Sequence, residues 1–172
     1  MRHSKPTSPL STAQNLRLLA YTTGVLLMLL PLRAKADAAR ISMEREEVAA
    51  RIQRVIDGLR AKLEIPSAVE VTVVDRNALA FSVEPPKVEG GAFVLSLEAS
   101  YLDLLSEEEL EAALAHELGH VWIFTHHPFL QTELGANRIA MRTISRESLA
   151  SVYDKLWKRL GAKGDLQTFL GR

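Results

Sequence analysis

The sequence contains no cysteine, few aromatic residues and no excess of either charge. Tryptophan, tyrosine and phenylalanine make up 6% of its 172 residues, and 21 basic side chains balance 21 acidic ones. Without cysteine, the chain has neither a disulfide framework nor an attachment site for a lipoprotein anchor. It also lacks an apolar run of about 20 residues, the length that a transmembrane helix usually needs.

The apolar residues near the N-terminus instead follow the pattern of a secretory signal. Basic residues precede the apolar run 18–32, and Ala34-Lys35-Ala36 follows it as an A-x-A cleavage sequence. We therefore predict a signal peptide over residues 1–36 and one domain over residues 37–172, in the periplasm of a bacterium or secreted. If the signal is not cleaved, residues 18–32 would anchor the protein in the inner membrane.

Cleavage would leave an acidic protein. Residues 1–36 contain five basic and no acidic residues, so the remaining chain has 16 basic and 21 acidic residues. Phosphate contacts need a basic surface, and we therefore expect no nucleic-acid partner.

The most specific pattern for chemistry is the pentad His116-Glu117-Leu118-Gly119-His120. Histidines four positions apart on a helix share one face, so both imidazoles can reach one metal ion. Glu117 lies beside them, where it can act as the general base on the attacking water. Glu133, thirteen residues after the pentad, offers a carboxylate oxygen, although by itself it could equally be a solvated surface residue. We predict that His116, His120 and Glu133 bind Zn2+.

The sequence supplies helices for these residues. Ser106 and Glu109 match a capping box, which predicts a helix from there to Phe124. A second helix is predicted to begin with Pro128 as its first residue, and apolar residues continue this helix to Ile144. The interior Gly119 indicates either a tight helix crossing or a close approach of the site.

The remaining pattern predicts an α+β fold, with a small three-stranded sheet packed on the pentad helix. An amphipathic helix is expected over residues 38–63, and a last helix over residues 146–160 with Ser145 as its N-cap. We expect the third strand to form the edge of the cleft, where substrate would add by backbone pairing or a loop would protect the edge. The three strands are predicted at Val69–Val74, Ala78–Val83 and Ala92–Leu97.

Residues 69–145 resemble the M48 group of the gluzincin metallopeptidases, in a minimal form. The resemblance implies a zincin-like fold, a zinc cofactor and hydrolysis of polypeptide substrates. It also implies that Asn137 stands where the family has an aspartate that hydrogen-bonds a ligand histidine. The segments that carry the resemblance are Ala115-His116-Glu117-Leu118-Gly119-His120, Glu133-Leu134-Gly135-Ala136-Asn137 and Asn77-Ala78-Leu79-Ala80-Phe81.

Two departures from the family pattern bear on activity. Asn137 can accept from an imidazole but brings no charge, and changes of this kind typically cost about 10–100-fold in metal affinity or activity. The short interval between His120 and Glu133 leaves no room for a long insertion, so we expect an open cleft with little lid.

These observations favour a zinc endopeptidase acting on cell-envelope or secreted proteins. Glu117 would pass the proton of water to the leaving amine, and a second donor would stabilise the oxyanion. One alternative is a weakly active or inactive zinc-binding assembly module of the periplasm, and another is a metal-free helical protein with both histidines in its core. The sequence does not choose among the candidate oxyanion donors, which are His126, His127, Arg142, Arg146 and Tyr153.

Overall fold

The longest helix, α1, begins at Thr12 and ends at Lys62, so it starts earlier than predicted and includes residues assigned to the signal peptide. No glycine or proline lies between Leu32 and Glu47, and the alanine-rich segment between them is a good helix former. The structure, a computed structural model, describes residues 12–127 and 131–171. Residues 1–11 of the predicted signal lie outside the described residues, and its cleavage stays a prediction.

The described residues up to Glu44 form one compact unit, and those from Arg45 onward form another. Within the described part of the chain, no helix is both long and apolar enough to cross a membrane.

The C-terminal half of α1 contributes the predicted apolar stripe to the core of the second unit. Ile52, Ile56 and Leu59 are each at most 1% exposed. Just after the helix, Glu64 has a left-handed φ of 56°, and the Ile65 amide donates to the Arg60 carbonyl. This left-handed turn ends the helix at Lys62, four residues before Pro66.

Three strands form one sheet in the order β1-β3-β2. β3 pairs in parallel with β1, from Val69↔Phe93 onward, and antiparallel with β2, from Phe81↔Leu97 onward. The prediction that the third strand is the edge is therefore wrong, because β3 is the central strand and β2 is an edge. The strands are β1 Val69–Val74, β2 Phe81–Glu84 and β3 Phe93–Glu98.

Five helices follow the sheet in the described part of the chain. α3 carries the pentad and packs on β2, α4 and α5, which confirms the α+β arrangement. The last of the predicted helices, α5, has the predicted bounds and the predicted Ser145 cap. The helices are α2 Ala99–Leu102, α3 Glu107–His126, α4 Glu133–Ala140, α5 Arg146–Leu160 and α6 Leu166–Leu170.

Candidate metal centre

The pentad lies in the middle of α3, whose start is fixed by the predicted capping box. Ser106 accepts from the Glu109 amide, and the Glu109 carboxylate accepts from the Ser106 amide. The helix extends six residues beyond the pentad, to His126, so both histidines lie within regular helical geometry.

Glu133 is the first residue of α4, and its position differs from the prediction. Pro128 lies outside the described residues, while α4 itself begins after Thr132, whose hydroxyl accepts from the Gly135 amide. The helix also ends at Ala140 rather than Ile144, because the chain changes to tighter turns there. Thr132 is a favourable N-cap, and a cap at this position sets the first helical residue at Glu133.

His116, His120 and Glu133 lie at the spacing of three ligands around one ion. The two Nε2 atoms are 3.3 Å apart, Glu133 Oε2 lies 3.3 Å from His116 Nε2, and Glu133 Oε1 lies 3.5 Å from His120 Nε2. Tetrahedral geometry with metal–ligand bonds of about 2.0–2.2 Å requires ligand separations of about 3.3–3.6 Å. Two imidazole nitrogens and one carboxylate oxygen are also a common ligand set for zinc, so these residues fit the ion.

The electrostatics of the three residues are those of a site that attracts cations. Hydrogen bonds with His116 and His120 hold the pKa of the Glu133 carboxyl well below its usual range. Burial alone would lower the pKa of His120, but the facing carboxylates and Gln131 outweigh burial and raise it. Glu133 is therefore ionised across the physiological range and can pair with either imidazolium or a metal ion.

Each histidine also bonds an amide side chain through its other nitrogen. His116 Nδ1 lies 2.7 Å from Asn137 Oδ1, and His120 Nδ1 lies 3.2 Å from Gln131 Oε1. Such contacts orient ligand imidazoles and leave their Nε2 atoms for the metal. The contact of Asn137 matches the expectation from the sequence. Gln131 was missed, because nothing in the sequence shows that its side chain folds back onto α3.

Glu117 is buried beside the histidines, with 8% of its surface exposed. Burial raises the pKa of its carboxyl. The charges of His116 and His120 and a hydrogen bond from the Val83 backbone lower this pKa, but by less than burial raises it, so the pKa is raised overall. A carboxylate with a raised pKa is a stronger base than a solvated one, which suits removal of a proton from water.

β2 forms the edge of the sheet beside the pentad. The Glu98 amide donates to the Ala80 carbonyl, so by strand alternation Ser82 pairs with β3 while Val83 directs its backbone away from it. The hydrogen bond between Val83 and Glu117 agrees with this direction. A peptide lying along β2 would therefore reach the pentad.

A cavity of about 710 Å³ adjoins the metal centre. His116, Glu117, His120 and Glu133 line it, and the remaining lining is almost entirely apolar. Ala113, one helical turn before Glu117, belongs to this lining and is 4% exposed. The sequence did not predict the cavity, which is lined mainly by residues from β2, α3 and α5.

The structure brings one of the five candidate oxyanion donors to the site. Tyr153 lines the cavity, and its hydroxyl donates to Glu133 Oε2 across 3.3 Å. His127 is exposed at the end of α3. The other three have partners elsewhere: His126 stacks on Trp122, Arg142 lies 5.0 Å from the centroid of the same indole, and Arg146 binds the carbonyls of Leu170 and Gly171.

Comparisons with known proteins found one family and one similar solved structure. A family model described as Peptidase family M48 matches residues 44–169. Among solved structures, the chain is similar to the metallopeptidase zymogen of Pyrococcus abyssi abylysin, with 18% sequence identity and a TM-score of 0.48. The similarity covers 66% of this chain and 99% of that chain. No curated protein matches the sequence.

Proposed function

Because the chain belongs to peptidase family M48, as its match over residues 44–169 shows, we propose that it is a zinc-dependent endopeptidase. Its proposed substrates are proteins of the cell envelope or secreted proteins. His116, His120 and Glu133 are the proposed zinc ligands, and Glu117 is the proposed general base.

One observation carries this proposal. The Nε2 atoms of His116 and His120 lie 3.3 Å apart, the two Glu133 carboxylate oxygens lie 3.3 Å from the first and 3.5 Å from the second, and a buried carboxylate on the same helix lies beside them. A purely structural zinc site is closed by four protein ligands and needs no base. Three ligands with an adjacent base and an adjoining cavity favour catalysis over the assembly module.

Each residue of the site has a separate role in the proposed hydrolysis. Bound zinc would supply Lewis acidity, which polarises the peptide carbonyl and acidifies water. Glu117 accepts the proton of the attacking water and gives it to the leaving amine. Tyr153, the candidate donor that lies at the site, would exchange its hydrogen bond to Glu133 for one to the developing oxyanion.

The edge of β2 supports a mode of substrate binding. Val83 directs its carbonyl away from β3 at the edge of the sheet, so an extended peptide can pair with β2 there by main-chain hydrogen bonds, while the Val83 amide bonds Glu117. Such pairing holds the scissile bond near Glu117 and does not depend on the side chains of the substrate. The apolar cavity then favours substrates that place an apolar side chain in it.

The proposed location rests on the N-terminal sequence. The basic start, the apolar run 18–32 and Ala34-Lys35-Ala36 support secretion into the periplasm or beyond, or anchoring in the inner membrane. Fractionation of the producing cells, with mass determination of the protein recovered, tests this. A measured mass equal to that of residues 37–172 supports cleavage. Recovery of the whole chain in the cytoplasm would contradict secretion.

The first experiment compares casein cleavage by the zinc-loaded full chain and by its Glu117→Gln variant, with bound zinc counted in both. The exposed Glu107→Gln on the same helix is the control. We expect one zinc ion per chain in all three proteins and cleavage by all but Glu117→Gln. Equal zinc without cleavage by the unaltered chain would favour the assembly module. Absence of zinc would contradict both functions.

A further inference from the structure

We propose that the C-terminal helix α6 is a positioning element of the metal centre, because the main-chain carbonyl of Phe169 orients His116 through Asn137. The inference rests on the proposed role of His116 as a metal ligand. Its starting point is the environment of Asn137, which has no exposed surface and lies between the two residues.

The amide of Asn137 uses both of its ends. Its Oδ1 lies 2.7 Å from His116 Nδ1. Its Nδ2 donates to the Phe169 carbonyl across 2.9 Å and to the Tyr153 hydroxyl across 2.8 Å. A side-chain amide offers one oxygen acceptor and two N–H donors, so this environment engages every group that it has.

The Phe169 carbonyl decides which way the amide faces. The Tyr153 hydroxyl can donate or accept, and a neutral imidazole nitrogen can do either, so these two partners tolerate both orientations. A carbonyl oxygen can only accept, so Nδ2 must face Phe169 and Oδ1 must face His116. Reversal of the amide would place two oxygen atoms 2.9 Å apart in a buried site, where neither could be solvated.

The orientation of the amide in turn selects the tautomer of His116. With Oδ1 facing Nδ1, the imidazole carries its proton on Nδ1 and presents the lone pair of Nε2 to the metal. In the metal-free protein, Glu133 lies 3.3 Å from Nε2 and attracts a proton there instead. The acceptor at Nδ1 therefore opposes the tautomer that cannot bind a metal ion.

A side-chain amide is held in a similar way at His120, but there both of its contacts are with His120 itself. Gln131 Nε2 donates to the His120 carbonyl, and Gln131 Oε1 faces His120 Nδ1, each across 3.2 Å. There the carbonyl that fixes the amide belongs to the ligand residue itself. For His116, the fixing carbonyl comes from a residue on α6, which makes that half of the site dependent on this helix.

α6 is held in place by contacts outside the metal centre. Arg146 donates to the Leu170 carbonyl across 2.7 Å and to the Gly171 carbonyl across 2.6 Å. The Leu170 side chain is 2% exposed. Gly164 allows the approach to α6 to pass close to α5, since a Cβ atom there would lie 2.0 Å from the Trp157 ring. The Arg146 and Leu170 anchors can be removed without altering the residues that surround the amide.

The test uses the double variant Arg146→Met/Leu170→Ala in the full chain, with the exposed Lys158→Met on α5 as the control. In the metal-free, 15N-labelled proteins, long-range 1H–15N correlation spectra report which nitrogen of His116 carries the proton. Zinc affinity is measured by competition with a chromophoric chelator. Because Glu133 is present in every variant, differences between variants isolate the effect of Asn137.

We expect the double variant to shift His116 toward the Nε2–H tautomer and to bind zinc about 10-fold more weakly, the lower range for loss of a contact behind a ligand. Asn137→Asp provides the decisive background, because a carboxylate only accepts: one oxygen holds the Nδ1–H tautomer, and the other repels the Phe169 carbonyl, so α6 no longer positions the side chain. In that background, the Arg146 and Leu170 substitutions should leave the tautomer unchanged.

An unchanged His116 tautomer and zinc affinity in the double variant would overturn the inference. So would a shift of equal size in the Asn137→Asp background, because the effect would then not pass through the amide. Failure of the unaltered chain to bind zinc would contradict the proposed function instead. The tautomer measurement needs no metal and would still report on the link between α6 and His116.

Discussion

Gly119 of α3 lies directly against the main chain of Ala136 of α4. A Cβ atom at position 119 would lie 2.3 Å from the Ala136 carbonyl oxygen and 2.8 Å from its Cα atom. Glycine at this position is therefore explained by a tight helix crossing, one of the two explanations that the sequence left open. Because His120 adjoins Gly119 and Asn137 adjoins Ala136, the crossing also sets the separation of the two halves of the metal centre.

Gly119→Ala should separate α3 from α4 and damage both stability and metal binding. The obstacle is backbone, which cannot move aside like a side chain, so we expect a loss of about 1–3 kcal/mol in unfolding free energy. Zinc affinity should fall as well. Urea denaturation of the metal-free protein and chelator competition measure the two effects.

The matched control is Gly58→Ala in α1. A Cβ atom there meets no heavy atom within 4 Å. This change should stabilise the protein by up to about 1 kcal/mol, since alanine is the better helix former. If Gly119→Ala behaved like Gly58→Ala, the crossing would not limit the distance between the helices.

Val83→Pro should impair cleavage more than stability. Proline removes an amide hydrogen that is directed away from β3 and bonds Glu117, a position at which an edge strand tolerates proline. We expect at least about a 10-fold loss of activity, the equivalent of about 1.4 kcal/mol, with zinc still bound. Val83→Ala keeps the amide hydrogen and serves as the control. Equal activity of both variants would show that the Val83 amide contributes neither to pairing with substrate nor to holding Glu117.

Ala113→Leu should narrow the cavity beside Glu117. Positions 113 and 117 share one face of α3, so a larger side chain at 113 fills space next to the base. Cleavage at sites with large apolar residues should fall by at least about 10-fold relative to sites with small residues, because a misfit of even one methylene in an apolar pocket costs about 10–200-fold. Kinetics on paired peptides within this one variant provide the ratio. An unchanged ratio would mean that substrates do not enter the cavity.

Glu98→Gln should make the free energy of unfolding less dependent on pH in the acidic range. Hydrogen bonds from Arg159, Ser100 and the Asn77 amide lower the pKa of the Glu98 carboxyl from 4.5 to about 2. Because the folded-state pKa is depressed, the stabilisation is present above pH 4.5 and is lost as pH falls toward 2. Glu98→Gln should therefore be less stable than the unaltered chain at about pH 7, with the difference shrinking by about pH 3.

Urea midpoints of the metal-free proteins at neutral and at acidic pH measure this difference. Glu107→Gln, exposed at the start of α3, is the control and should follow the unaltered chain at both values of pH. A constant difference between Glu98→Gln and the unaltered chain would show that ionisation of Glu98 does not contribute.

The elements that the sequence predicted correctly are those fixed by nearby residues. The capping box Ser106–Glu109 and the Ser145 cap involve partners three residues apart, and both helices begin where these caps place them. The spacing of His116 and His120 is likewise a property of one helix. The errors concern boundaries that depend on distant contacts or on an unrecognised cap, such as Thr132 at the start of α4.

The order of the strands shows the same limit. Periodicity located three strands, but it carries no information about which strand lies between the others. The parallel pairing of β1 with β3 makes β3 central and moves the proposed substrate edge to β2. Pairing is a choice between alternatives of similar local energy, and packing of the whole sheet decides it.

The sequence by itself determined the pentad helix, the α+β class and the residue types suited to a metal ion, because helix periodicity, capping and ligand chemistry act over a few neighbouring residues. Only the tertiary structure decided that Glu133 meets both histidines, that Ala113 lines a cavity and that Phe169 orients Asn137 from 32 positions away. Those relationships depend on helices packing at specific distances, which no local pattern encodes.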